Sequence, residues 1–172
     1  MNISYNHTHP DIDDTVRVFP GVIIVGDVTI HPHVNIWFNA VVRGDMASIE
    51  IGENTNIQDQ VVIHTNIDAP VRIGKNVTIG HSAIIHAATI LDDALIGMGA
   101  IILDKAVVES GAMVAAGTVV PPGKKVPSGM LAMGNPMRIV RELTQAEREQ
   151  NAANIAYYLN LANSYISQPE SA

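Results

Sequence analysis

Residues 90–120 run ILDDALIGMGAIILDKAVVESGAMVAAGTVV, and one column of branched aliphatics recurs in them at every sixth position: Ile90, Ile96, Ile102, Val108, Val114 and Val120. Four residues after a column member stands a small side chain: Ala94, Ala100, Ala106, Ala112 and Thr118. Outward from this stretch the column extends to Val126 and, in the other direction, through Ile85, Ile79, Ile73, Ile63, Ile57, Ile51, Val42, Ile36, Ile30, Ile24 and Val18. The small or medium position follows it at Val28, Val34, Ala40, Thr55, Val61, Val77 and Ala83. Neither a helix of 3.6 residues per turn nor a two-residue strand alternation sustains a period of six. Three short strands per coil do, with the large residue filling a narrow interior and the small one letting the chain turn a corner. The expected fold is therefore an all-β solenoid, a parallel β-helix of about six coils.

Three steps break the period. Val42 to Ile51 is three residues too long, Ile63 to Ile73 is four too long, and one residue is missing either at Ile85–Ile90 or at Ile79–Ile84. Insertions of this kind gather on one functional side of a solenoid. After Val126 the pattern gives way to PSGMLAMGNPMRIVREL, an extended strap with two prolines. Thr144 and Glu147 then form a capping-box signature, the hydroxyl and the carboxylate each satisfying a free amide at a helix start. Ile155, Leu159, Ala162 and Ile166 share one helical face, flanked by Tyr158 and Tyr165, so the helix is expected to pack along the prism. The expected organisation is a β-helix domain over residues 1–142, a helix over 143–167 and a disordered tail over 168–172.

Composition agrees with a narrow interior. In 172 residues there are two Phe, four Tyr and one Trp, whereas the apolar content is 47%. A net charge of −7 without a basic run argues against a nucleic-acid partner. The absence of cysteine excludes disulfides and thiolate ligands. No apolar run reaches the roughly 18 residues of a membrane span, and the first residues lack the pattern of a signal peptide. A soluble cytoplasmic protein is expected.

The coil register gives three of the seven histidines a shared geometry. His64 follows Ile63 and His86 follows Ile85; the 22 residues between them equal one 18-residue coil plus the four-residue insertion. They should stack on one face about 4.8 Å apart, too close for both to be protonated but well placed to chelate a metal when neutral. His81, one step before His86, belongs to the adjoining face and should point around the corner. A three-fold trimer would bring His81 of one chain to His64 and His86 of the next. Three imidazoles with an open position lower the pKa of a bound water toward about 7. His7, His9, His31 and His33 match no such register.

Val42-Arg43-Gly44-Asp45, Asn56-Ile57-Gln58-Asp59, His64, and Gly80-His81 with His86 five residues on resemble the γ-class carbonic anhydrase family, as do VPPGKK and LAMGNP in the last coils. The resemblance covers about residues 10–142. It implies a left-handed coil, a homotrimer, a divalent metal in each interface, and reversible hydration of carbon dioxide to bicarbonate by a metal-bound hydroxide. His64, His81 and His86 would be the ligands. Gln58 would orient the hydroxide with Asn56 nearby, and Arg43 would pair with Asp45 or Asp59 across the interface. Zinc is the first expectation, with iron and cobalt also compatible with three imidazoles. Asn154 and Tyr158 match C-terminal family positions, although helical packing also accounts for Tyr158. Two departures bear on turnover. Met46 stands where the family has a glutamate, and the short Thr65–Pro70 segment replaces an acidic loop that carries a proton shuttle. Buffer, or Asp68 if it reaches the site, would have to export the proton. The competing expectations are an acyl-coenzyme A transferase or thioesterase on the same solenoid, and a non-catalytic trimer stabilised by metal.

Overall fold

The computed structural model describes residues 1–166, and in it the six-residue period becomes a parallel β-helix with three faces. The first face stacks Asn2–Ile3, the start of Ile23–Ile30, the start of Val41–Ile51, Val62–His64, Ile84–His86, Ile101–Ile102 and Val119–Val120. The second stacks Asp11–Ile12, the ends of the two long strands, Val71–Ile73, Thr89–Ile90, Val107–Val108 and Lys125–Val126. The third runs from Arg17–Val18 through Asn35–Ile36, Asn56–Ile57, Thr78–Ile79, Leu95–Ile96 and Met113–Val114 to Met130–Met133. There are about seven coils rather than six. The additional one begins with Asn2–Ile3 and Asp11–Ile12, which pair onto Ile23–Ile30 although they precede the repeating column.

Column members from Ile24 to Val126 and the small residues between them form one buried core. Val18 departs from this pattern at 41% exposure, because no strand pairs outside it on its face. Aliphatic branching suits such a core, since each side chain packs on its counterpart one coil away. At the corners the chain enters the left-handed region, at Gly99, Gly111, Gly117 and Gly123 and also at Asn39, Asn54, Asn76 and Asp93, the side chains that best tolerate it. Gly80 answers a different need: a Cβ there would lie 2.7 Å from the Met98 backbone nitrogen of the next coil.

The small corner residues are buried. Ala100 is wholly buried. Ala100→Leu should overpack the corner and cost about 1–3 kcal/mol, read as a lowered urea midpoint; a neutral result would contradict the observed register.

All three irregular steps fall at the corner between the first and second faces. The missing residue lies between Ile85 and Ile90, because Ile79 still pairs with Ile57 and Ile85 with Ile63. Val41–Ile51 rounds that corner as one continuous strand. In the next coil, residues 65–70 close a small loop through reciprocal backbone bonds between Asn66 and Ala69.

Beyond Val126 the strap turns back, with Arg138–Glu142 antiparallel to Met130–Met133. Met137 packs against the end of the core, and the Val119 N–H donates to the Gly134 carbonyl. Helix Gln145–Ile166 opens with the expected capping box: Glu147 N–H donates to Thr144 Oγ1 at 3.2 Å and Thr144 N–H to Glu147 Oε2 at 2.9 Å. The Arg141 fork on Glu147, followed by the Thr144 amide, pulls that carboxyl down to about 2. Ile155 and Ala162 are buried, and Tyr158 meets Trp37 edge-on. Trp37 in turn stacks on Phe19, one coil earlier, with ring centroids 4.4 Å apart. Residues 168–172, expected to be disordered, lie outside the described residues. No helix among those described is long and apolar enough to cross a membrane.

Candidate metal centre

His64 and His86 end adjacent strands of the first face and are register partners. Parallel pairing at this spacing sets the rings edge to face with centroids 5.2 Å apart, and His64 Nδ1 lies 3.3 Å from His86 Nε2. Each ring is held from its far side. Asp45 Oδ1 lies 3.0 Å from His64 Nε2, and Asp104 Oδ1 lies 2.6 Å from His86 Nδ1. The carboxylates are themselves fixed. Arg43 Nη1 donates to Asp45 Oδ2, and Asn66 Nδ2 donates to Asp104 Oδ2 at 2.8 Å. Burial pushes the Asp45 carboxyl up, but the Arg43 and His64 hydrogen bonds together hold it below its ordinary value. The bond from Asn66, then that from His86, lowers Asp104.

His81 sits on the corner between the third and first faces. Its Nδ1 is 2.7 Å from Asp59 Oδ2, and its backbone N–H donates to Gln58 Oε1 at 3.1 Å. Gln58 Nε2 donates to Asn56 Oδ1 at 3.0 Å. Among the described residues, no three His, Cys, Asp or Glu side chains of one chain gather into a metal-binding group.

All three histidines thus share one chemistry. A carboxylate occupies one ring nitrogen and leaves the other, His64 Nδ1, His86 Nε2 or His81 Nε2, without a carboxylate partner. Carboxylates in this position orient metal-ligating imidazoles and raise their basicity. Neutral imidazole nitrogens suit a borderline divalent cation, so the donor set fits zinc, iron or cobalt. It is the third donor that a single chain does not bring to the pair.

The other positions named from the sequence are placed as follows. Arg43 pairs with Asp45 of its own chain, while Asp59 is engaged by His81. Tyr158 packs on Trp37, and burial, then the Asp59 charge, raises its phenol. Asp68 is exposed at the loop tip. His31 and His9 meet Glu50 and Ser4 in exposed positions away from the pair. Asp104 and Asn66 were not anticipated. Asp104 stands 18 residues after His86, one regular coil, and that register was the available signal.

A Methanocaldococcus jannaschii protein named "Probable carbonic anhydrase" is 50% identical over 156 residues, covering 91% of this chain and 98% of that protein. The chain belongs to the γ-class carbonic anhydrase family. The Arabidopsis thaliana protein "Gamma carbonic anhydrase 2, mitochondrial" is 44% identical over 165 residues, covering 92% of this chain, which spans 59% of that relative's length. The crystal structure of a hexapeptide transferase family protein from Anaplasma phagocytophilum superposes with a TM-score of 0.93 at 41% identity, covering 96% of this chain and 98% of that one. The fold is the left-handed parallel β-helix. No protein-family model matches the chain.

Proposed function

We propose that the chain catalyses reversible hydration of carbon dioxide as a homotrimer, with a divalent metal, zinc first, held at each interface by His64 and His86 of one subunit and His81 of its neighbour. The observation that carries this reading is the common construction of the three imidazoles: each is backed by an oriented carboxylate, yet only two of them meet within a chain. The surface around that pair supports association. Ile23, Val41, Val62, Ile84, Ile101 and Val119 align on the first face, and Ile23, Val62 and Ile84 are 37–38% exposed. An apolar sheet face of this kind calls for cover. A second copy would provide both the cover and the missing imidazole.

When bound, the metal supplies Lewis acidity that makes a water nucleophilic near neutral pH. The carboxylates of Asp45, Asp104 and Asp59 keep the far ring nitrogens as N–H donors, which leaves the near nitrogens as lone pairs. Gln58 Oε1 accepts one bond from His81 N–H and retains a lone pair to orient the proton of the nucleophile. Arg43 fixes Asp45 and so the His64 ring. With Met46 and the short loop in place of the family's acidic groups, the proton would leave to buffer.

Metal analysis of anaerobically purified protein, sedimentation, and a stopped-flow hydration assay test the reading. About one metal per chain in a trimer is expected, with hydration that rises with buffer concentration. A metal-free protein that transfers acyl groups from coenzyme A would replace the reading with a transferase. A metal-loaded trimer without hydration would leave a structural role only.

A further inference from the structure

Behind His81 runs a single file of buried hydrogen bonds. Trp37 Nε1–H donates to Asn35 Oδ1 at 2.8 Å, and Asn56 Nδ2 donates to the same oxygen. Gln58 Nε2 then donates to Asn56 Oδ1 at 3.0 Å, and the His81 backbone N–H donates to Gln58 Oε1 at 3.1 Å. Asn35, Trp37, Asn56 and Gln58 are all 5% exposed or less.

The direction of this file is fixed from both ends. An indole N–H and a backbone N–H can only donate. Starting at Trp37, Asn35 must present its oxygen, so Asn56 presents its NH2 there and its oxygen to Gln58. Gln58 must then offer NH2 to Asn56 and oxygen to His81. Starting at His81 gives the same answer. The arrangement also leaves a polar group unpaired: Asn35 Nδ2 is buried without an acceptor, because its oxygen already serves two donors. An amide present only to fill space would more simply be an apolar residue.

We propose that Asn35, pinned by Trp37, is a positioning residue that fixes which end of Gln58 faces the metal centre. The inference rests on the reading of Gln58 as the group that orients the nucleophile. Asn35 holds Asn56, Asn56 holds Gln58, and the acceptor end of Gln58 stays beside His81. Reversal of the file would turn an NH2 toward the His81 N–H and leave two donors facing each other.

Three variants of the metal-loaded protein test this. Asn35→Leu removes the shared acceptor, Asn35→Asp keeps it, and Trp37→Phe removes one donor while keeping a ring on Phe19. Trp37 is the one tryptophan of the chain, so its indole resonance is identified without assignment. In Asn35→Leu, exchange of the His81 amide should accelerate about tenfold and kcat should fall about tenfold at unchanged KM and metal content; Asn35→Asp should restore most of both. Unchanged His81 exchange in Asn35→Leu, or a loss of rate that only follows a loss of metal, would overturn the proposal. If Asn35→Leu does not fold, Trp37→Phe carries the same test, with faster His81 exchange expected and unchanged exchange overturning it. If the parent protein shows no hydration, the functional reading fails by itself, and the exchange measurements still decide the file.

Discussion

Alanine at position 81 should empty the metal centre as completely as alanine at 64 or 86, although His81 touches neither of the other two rings in its own chain. On the proposed division of the ligand set between subunits, removal of any member leaves two imidazoles, and metal affinity should fall below detection in dialysed protein. A mixing experiment separates this from a site within one chain. Trimers reassembled from His81→Ala and His64→Ala subunits contain one junction where an intact His81 meets an intact His64–His86 pair. The reverse junction lacks two ligands, and the junction between like chains lacks one. About one site in three should therefore hold metal in mixed trimers. A site built within one chain predicts none, since every chain then carries a defect of its own. Zero recovery in confirmed mixed trimers would end the interface model.

Ile96→Ala should be strongly destabilising, costing roughly 2–5 kcal/mol. Ile96 is wholly buried and stacked between Ile79 and Val114 on the third face, with Ile90 and Ile102 on the other two sides of the prism. The walls around it are backbone coils whose spacing is set by inter-coil hydrogen bonds, so they cannot close on the cavity. A domain stable by about 5–15 kcal/mol would lose a large share of that margin. Urea unfolding with an unchanged slope and a lowered midpoint is the expected record. Val18→Ala, at the open end of the same column, should stay within about 0.5 kcal/mol of the parent. Equal effects at the two positions would contradict the burial pattern.

The column was legible because a prism with one large residue per side forces the same size choice at every turn. Ile24 to Val126 could therefore be assigned to the interior without knowing what neighboured what. The first coil was not legible. Asn2–Ile3 and Asp11–Ile12 lie at the end of the stack, where one side is open and no residue type is enforced. The histidine pair followed from counting residues between column members, and the same count would have reached Asp104 from His86. It was missed because an aspartate at a solvent-facing corner looks like any turn residue until a ring nitrogen is found beside it. The Asn35–Asn56–Gln58 file was hidden for a different reason. Asparagines on the outward side of a strand read as exposed, and the apolar face of the helix does not say which side of the prism it covers; laid over the third face, the helix makes them interior.

The reversed strand Arg138–Glu142 has a consequence for how these molecules meet. A parallel stack of coils is in effect a one-dimensional polymer: its last rung offers the template on which another rung could grow, whether from the same chain or from a different molecule. Strand Met130–Met133 would be that rung on the third face, and Arg138–Glu142, running the opposite way, occupies its free edge. Gly134 and Met137 do the same for Val119 on the first face. The strap acts as a chain terminator. With the third and first faces covered at this end of the axis, growth of those two sheets stops there, whereas the sides of the prism stay open to another molecule, and it is on one of those sides that the histidine pair lies.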